Sequence, residues 1–230
     1  MMRGYAIYHT LAFLARHLFR LVGRLDVHGR ENVPKSGSFL LLANHESILD
    51  PILIQAVCPR PVHTMAKSTQ FASPFMGWLM RAVKSFPVRR YQVDPQSVRM
   101  VLRRLEQGRP VGIYPEGERS WDGRLQEPRR GTIRLVLRAG VPIVPCTISG
   151  SYDVWPRWDR RVRRGHIRID FGMPFRLPPA PDRAAREAAL PAASSRIMGA
   201  LRTQLEQAER TMRTTRDRNQ STPQSTLEST

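Results

Sequence analysis

The chain has 230 residues and 26.3 kDa, enough to bury one sizeable core and short for two ordinary domains. Its 37 Lys and Arg against 19 Asp and Glu leave a net charge of +18 and a pI near 11.4, a balance suited to nucleic acid, an anionic membrane or a polyphosphate ligand. Hydrophobic content of 41% with mean hydropathy −0.39 excludes a mostly membrane-embedded chain and a wholly disordered one, and the two cysteines, Cys58 and Cys146, are too far apart for metal-ligand spacing.

Residues 4–22 read GYAIYHTLAFLARHLFRLV. At ~100° per residue Ile7, Leu11, Leu14, Leu18 and Leu21 form one stripe, with His9, Arg16 and Arg20 on the other side, so residues 1–25 are expected to form an amphipathic helix. Charge arrives too early for an uninterrupted span, and no small-residue cleavage site follows the apolar run. A stripe of this kind packs on the protein's own core or lies on a membrane surface, and the pattern favours neither.

Ser38–Ala43 reads as a buried strand, and Asp50 with Pro51 opens a helix through Val57. Val62–Ala66 and Phe86–Val88 predict further strands around a helical stretch at Pro74–Arg81. Asp94 and Pro95 start a helix whose apolar face is Val98, Val101, Leu102 and Leu105 and whose stop is Gly108. Val111–Tyr114 reads as a strand, Thr132–Ala139 as a helix closed by Gly140, Val141–Ile148 as a strand and His166–Phe171 as an edge strand. This alternation predicts an α/β fold, a mostly parallel or mixed central sheet flanked by helices. Prolines thicken from Met173 to Pro191, after which Ile197, Leu201, Leu205, Ala208 and Met212 space out as a second amphipathic helix. Residues 214–230 lack apolar periodicity and read as a disordered tail.

Chemistry gathers at two loops. Between the first strand and its helix stands NHESILDP, with His45 and Asp50 five residues apart. A histidine accepts protons near neutral pH, and a carboxylate can hold its other ring nitrogen, so the pair can activate an alcohol. The competing reading makes Asp50 a helix cap and His45 an ordinary loop residue. Tyr114–Ser120 reads YPEGERS, where Gly117 permits a tight backbone and Arg119 offers a planar fork to phosphate oxygens; the alternative is a surface turn with a solvated salt bridge. Between the two loops, KSFPVRR adds Arg89 and Arg90.

Taken together, NHESILD, SFPVRR, YPEGERSWDGRLQEPRRG and AGVPIVPCTISGSYDVWP resemble the lysophospholipid and glycerolipid acyltransferase family in order and approximate spacing, from about Ser38 to Arg157. The resemblance implies an acyltransferase domain over residues 26–213. It makes His45 the general base and Asp50 its orienting partner, and places Arg90, Glu116, Gly117 and Arg119 at the acceptor's phosphate. Residues 141–145 would shape the pocket. Lys84 and Arg89 stand where the family usually has Gly and an acid, and Glu118 stands where it commonly has Thr.

The reaction implied is transfer of a fatty acyl group from a thioester, acyl-CoA or acyl carrier protein, to a lysophospholipid hydroxyl, with 1-acylglycerol-3-phosphate the favoured acceptor. It needs no metal or redox cofactor, and the chain lacks a G-x-S-x-G elbow. The N-terminal helix and the stretch VWPRWDRRVRRGHIR, with Trp155, Trp158 and Arg157, Arg160, Arg161, Arg163, Arg164 and Arg168, suit an anionic membrane surface, which points to the cytoplasmic face of the cell membrane with peripheral or monotopic attachment. The same arginines also suit coenzyme A phosphates or a solvated loop. A nucleic-acid-binding protein shares the charge but no reading element accompanies it, so no specific nucleic acid is expected. A catalytically idle lipid-binding module is the remaining rival.

Overall fold

A computed structural model describes residues 2–88 and 95–221. In chain order the elements are α1 (Met2–Val22), β1 (Gly23–His28), β2 (Leu40–Ala43), α2 (Asp50–Val57), β3 (His63–Lys67), α3 (Pro74–Ala82), β4 (Phe86–Val88), α4 (Pro95–Glu106), β5 (Val111–Ile113), α5 (Arg130–Ala139), β6 (Ile143–Ser149), α6 (Ser151–Val154), β7 (Gly165–Phe171) and α7 (Arg183–Ser221). The strands form one sheet in the order β1-β7-β6-β2-β5-β3-β4, parallel throughout except where β6 meets β7. This is the mixed, mostly parallel α/β architecture that the alternating strand and helix signals predict.

The central strands are buried on both faces, which is why β2 reads Leu-Leu-Leu-Ala without polar alternation. Leu41 and Ala43 pack with Val144, Cys146 and Ile148 of β6 against Leu53, Ile54 and Val57 of α2. Leu40 and Leu42 face the opposite layer, with Val101 and Leu105 of α4, Ile133 and Val136 of α5, and Ile197 and Leu201 of α7. At about 25 cal/mol per Å² of apolar area, these two layers supply the main drive for folding.

Three expectations change. The N-terminal helix stops at Val22 and residues 23–25 already belong to β1, so a boundary at residue 25 cuts a strand. The strand is hidden in the sequence because Leu25 and Val27 alternate with Arg24, Asp26 and His28, and because it opens on Gly23, which lies against Gly165 where no Cβ fits. With β1 on its far side, His166–Phe171 lies inside the sheet as part of β7 rather than at its edge. At the other end, α7 begins at Arg183, carries Pro191 within it and runs to Ser221, through residues 214–221 of the expected tail. A helix already nucleated and packed gains one hydrogen bond per added residue, so Arg, Thr and Gln can extend it without an apolar face.

For α1 the structure decides a choice that the pattern leaves open. The side it presents to the core is Tyr8, Ala15 and Phe19, with the Tyr8 hydroxyl donating to the Gln55 carbonyl at 3.1 Å. Ile7, Leu14 and Leu18 of the predicted stripe are exposed, joined by Phe13. The helix therefore has two apolar sides, and the one that dominates the sequence pattern is the one the core leaves uncovered.

Candidate active site

Three neighbouring central strands, β2, β5 and β6, end at the same edge of the sheet, and the segments that follow them meet there. In open α/β sheets this is the crevice where reacting groups assemble. Asn44, directly after β2, fastens the first loop to β6: its amide nitrogen donates to the Ile148 carbonyl and its Oδ1 accepts the Ile148 N–H, both at 2.8 Å.

His45 follows, and its Nδ1 lies 2.8 Å from Oδ2 of Asp50. The same oxygen accepts the backbone N–H of Glu46 at 2.7 Å and of Ser47 at 2.8 Å, while Oδ1 accepts the Ser151 hydroxyl at 2.7 Å. Asp50 is wholly buried at 0% exposure and His45 is 5% exposed. Asp50 stands inside the first turn of α2, whose N-cap is Leu49 with no side-chain cap bond, so its carboxylate holds the loop and the imidazole instead of capping the helix. With a carboxylate at Nδ1, the imidazole carries its proton there and presents the lone pair at Nε2. That nitrogen has no hydrogen-bond partner among the described residues, and His45 lines an open cleft of about 1160 Å³.

The ring also stacks on Tyr114, with centroids 4.0 Å apart and planes 19° from parallel. Its backbone is held from the β5 side: the His45 N–H donates to Oε1 of Glu116 at 2.8 Å, and the Ser120 N–H donates to the His45 carbonyl at 2.7 Å. The second oxygen of Glu116 accepts the Gln126 N–H at 3.0 Å. Glu116 is buried and does not line the cleft, and its carboxylate holds the loop that carries His45.

Burial pushes the Glu116 carboxyl up to about 7, against the lowering effect of the N–H donors from Gln126 and His45 and with the charges of Asp50 and Asp122 adding to the rise. An acid raised from 4.5 keeps its proton in the folded chain after the unfolded chain has lost it. Its contribution is therefore fully present below about pH 4.5 and is lost as pH rises through about 7, a change of roughly 3 kcal/mol at most. The stability difference between the parent and Glu116→Gln, which cannot titrate, is expected to shift against the parent between about pH 5 and pH 7.5. Urea unfolding of both proteins at the two pH values checks it, and an unchanged difference would contradict it.

Of the other expected ligand residues, Gly117 lines the cleft at φ +76°, where an added Cβ would overlap the Arg129 side chain. Arg119 is half-buried, is not among the residues lining the cleft, and its carbonyl accepts a bond from Arg157 at 3.0 Å. The loop's cation in the cleft is Arg129, whose Nε donates to the Glu116 carbonyl at 3.1 Å and whose Nη2 donates to Glu118 at 2.9 Å. Arg89 and Arg90 lie outside the described residues. Arg129, Arg130, Gly131 and Thr132 bring the N-terminus of α5 to the cleft, and a helix N-terminus with adjacent guanidinium groups suits an anion.

Sequence reasoning left Tyr114, Ser151, Glu46 and Arg129 without roles. Glu46 is buried beside the dyad, accepting from the Asn44 amide at 2.9 Å, and burial followed by the charge of Asp50 pushes its carboxyl well up. The signal for Ser151 is topological: it directly follows Gly150 after β6, and β6 is the neighbour of β2. Arg129 sits in the EPRRG run, immediately ahead of a helix start. Among the described residues, no group of three His, Cys, Asp or Glu side chains is arranged to hold a metal.

The basic stretch after α6 is partly internal. Arg157 lies 3.8 Å over the Trp121 ring and pairs with Glu118, Arg163 pairs with Asp159, and Arg168 belongs to β7 and pairs with Asp170. Arg160, Arg161 and Arg164 point outward from the same stretch, next to exposed Trp158.

Residues 24–149 match the family model of the acyltransferases. A chloroplastic 1-acyl-sn-glycerol-3-phosphate acyltransferase of Brassica napus is 30% identical over 158 residues, which is 66% of this chain and 45% of that protein. The Bacillus subtilis 1-acyl-sn-glycerol-3-phosphate acyltransferase is 26% identical over 170 residues, covering 74% of this chain and 82% of its own length. The chain thus spans less than half of the plant relative and most of the bacterial one. The fold is that of PlsC, the 1-acyl-sn-glycerophosphate acyltransferase of Thermotoga maritima, with a TM-score of 0.67 at 21% identity over 82% of this chain and 77% of that one.

Proposed function

The chain belongs to the acyltransferase family, and from that premise we propose that it moves a fatty acyl group from a thioester to the free hydroxyl of a lysophospholipid, with 1-acyl-sn-glycerol-3-phosphate as acceptor and phosphatidic acid as product. The observation that carries this reading is an imidazole fixed by a buried carboxylate, with its free nitrogen at a cleft whose rim presents Gly117, Arg129 and the N-terminus of α5.

In this mechanism the acceptor's phosphate sits against Arg129, Arg130 and the first turn of α5, close enough to His45 for its hydroxyl to reach Nε2. His45 takes the hydroxyl proton as the oxygen attacks the thioester carbonyl, and Asp50 stabilises the imidazolium that forms. The tetrahedral centre then collapses: the new ester C–O bond remains, the C–S bond breaks, and the imidazolium returns the proton to the departing thiolate. Glu116 holds the His45 backbone and Tyr114 stacks on its ring throughout.

Attachment to an anionic membrane surface is part of the proposal. Exposed Ile7, Phe13, Leu14 and Leu18 of α1, Ile52 of α2, and Phe75 and Trp78 of α3 lie on helices that pack on one another, and Arg160, Arg161 and Arg164 add outward charge. No helix among the described residues is long and apolar enough to cross a membrane, and the proposed attachment is peripheral or monotopic, at the cytoplasmic face.

The test is incubation of the purified protein with a labelled acyl thioester and 1-acyl-sn-glycerol-3-phosphate in anionic vesicles. Labelled phosphatidic acid is expected, with the protein co-sedimenting with the vesicles and released as salt rises. Transfer to no lysolipid from either a coenzyme A or a carrier-protein thioester would reject the enzymatic reading, and salt-independent partitioning would reject the electrostatic part of the docking.

A further inference from the structure

The loop that carries His45 holds a second buried acid, with no part in the acyl transfer described above. The Glu46 N–H donates to Oδ2 of Asp50 at 2.7 Å, which brings the Glu46 side chain beside the carboxylate of its neighbour. Glu46 is 7% exposed and Asp50 is wholly buried. On the other side, Gly150 turns the chain out of β6 at φ +82°, with no room for a Cβ against the His166 carbonyl, and so delivers Ser151 to both acids.

A hydroxyl has one proton to give. That of Ser151 goes to Oδ1 of Asp50 at 2.7 Å, and its Oγ then turns lone pairs toward Oε2 of Glu46, 3.4 Å away. Oxygen facing oxygen there is favourable only when Glu46 brings the proton itself. The rest of its surroundings agree. Oε1 accepts the Asn44 amide at 2.9 Å and Oε2 faces the Tyr152 N–H at 3.4 Å, so the groups bonded to this carboxyl are neutral. The titratable groups around it are His45 of its own loop, Asp50 of α2 and Glu116 of the segment after β5, while α6 contributes the Ser151 hydroxyl and the Tyr152 N–H. No Lys or Arg pairs with Glu46 among the described residues. Two buried carboxyl groups sharing a site do not both ionise at neutral pH; burial, followed by the charge of Asp50, keeps the proton on Glu46.

We propose that Glu46 is a positioning residue that works as an acid: it donates its proton to Ser151, which gives its own to Asp50, and loss of the Glu46 proton sets the alkaline limit of the reaction. The inference rests on the acyl-transfer reading above and deepens it. With the chain from Glu46 through Ser151 and Asp50 to His45 in place, both oxygens of Asp50 are satisfied and Oδ2 stays on the imidazole Nδ1. Once Glu46 releases its proton to solvent, two carboxylates face the single proton of Ser151. If Asp50 keeps it, Glu46 is left as a buried charge against bare lone pairs. If Glu46 takes it, Oδ1 of Asp50 is left unmatched. Either way water is drawn into the turn, and residues 44–47 lose the geometry that aims the imidazole at the cleft. Proton abstraction itself remains with His45.

Three measurements on the whole chain, parent beside Glu46→Gln, test the assignment. The glutamine keeps an acceptor for Asn44 and a donor for Ser151 but cannot ionise. In infrared spectra at about pH 6, where Glu116 keeps its proton in both proteins, the parent is expected to show the C=O stretch of a protonated carboxyl group that the variant lacks. As pH rises that band fades, and the urea midpoint of the parent falls relative to the variant. The sign follows from linkage: an acid held above its ordinary range contributes fully below about pH 4.5, and the contribution is lost as pH rises through its folded value. Turnover of an acyl thioester with 1-acyl-sn-glycerol-3-phosphate is expected to be about two- to fivefold slower in the variant near neutral pH, because an amide is the weaker donor and the Tyr152 N–H loses its acceptor. Over the range in which the band fades, kcat of the parent falls by about tenfold per pH unit and that of the variant does not. A purely structural Glu46 predicts gaps in stability and rate that do not change with pH. In a Glu116→Gln background the Glu46 band can be followed against kcat without any change at Glu46, so the comparison survives a Glu46→Gln chain that fails to fold. Absence of the band, or an alkaline fall shared by parent and variant, overturns the proposal. The band and the urea midpoints need no turnover, so a pH-dependent gap in both without acyl transfer would sink the enzymatic reading and leave the acid standing. Acyl transfer with coincident pH profiles would do the reverse.

Discussion

His45→Ala is expected to lower acyl transfer by roughly a thousandfold while leaving the fold and vesicle binding nearly unchanged. The size follows from the role: a positioned general base contributes about 10²- to 10⁴-fold. The sparing of the fold follows from the contacts. Without the imidazole, Oδ2 of Asp50 keeps the N–H groups of Glu46 and Ser47, and Oδ1 keeps Ser151, so no buried charge is stranded. The backbone bonds that His45 makes to Glu116 and Ser120 do not involve its side chain. What is lost is one charge-assisted hydrogen bond and the stacking on Tyr114, together about 2 to 3 kcal/mol. Steady-state rates, a thermal melt and vesicle sedimentation on the same preparation check the three parts, and retention of more than about a tenth of the rate would remove His45 from the mechanism.

How much of this was legible beforehand depends on what each feature's signal is made of. The apolar run of β2, the Asp-Pro opening of α2 and the Gly140 stop of α5 are local and read directly from neighbouring residues. The His45 and Asp50 pair was legible as a spacing, because both belong to one loop and the first turn of the helix it feeds. Contacts made across strands were not. Ser151 reaches Asp50, and Glu116 reaches the His45 amide, only because β6 and β5 flank β2, an order that residue patterns along the chain do not encode. The same gap bears on the proposed phosphate subsite. Arg119 reads as its cation because it lies in the turn motif, whereas the path of the following loop brings Arg129 back over Gly117. The choice left open for the α1 stripe has another cause: helical periodicity finds the most apolar side of a helix, and here small Ala15 with Tyr8 and Phe19 makes the packed side.

Asp50→Asn separates the electrostatic role of the carboxylate from its structural one, and is expected to lower kcat by about 10³- to 10⁴-fold with little change in KM and a stability loss of only about 1 to 2 kcal/mol. The asparagine oxygen can take the place of Oδ2, where three donors converge from His45, Glu46 and Ser47. Its amide then faces Ser151, whose hydroxyl can accept that bond and turn its own proton toward Glu46, already 3.4 Å away. Every buried partner stays satisfied, so the loop and the imidazole tautomer survive. Only the negative charge disappears, and with it the stabilisation of the imidazolium that forms as the acceptor loses its proton. Asp50→Ala has a different outcome. It leaves the N–H groups of Glu46 and Ser47 and the Ser151 hydroxyl without their shared acceptor at a wholly buried position, at about 1 to 3 kcal/mol for each group. That variant should unfold at markedly lower urea concentration. The informative comparison is therefore between the two substitutions: equal inactivity with a stability gap of several kcal/mol supports a carboxylate that serves both the charge and the loop. An asparagine variant as active as the parent would show that the charge of Asp50 is not used, and one as unstable as the alanine variant would show that the loss of rate is a loss of structure.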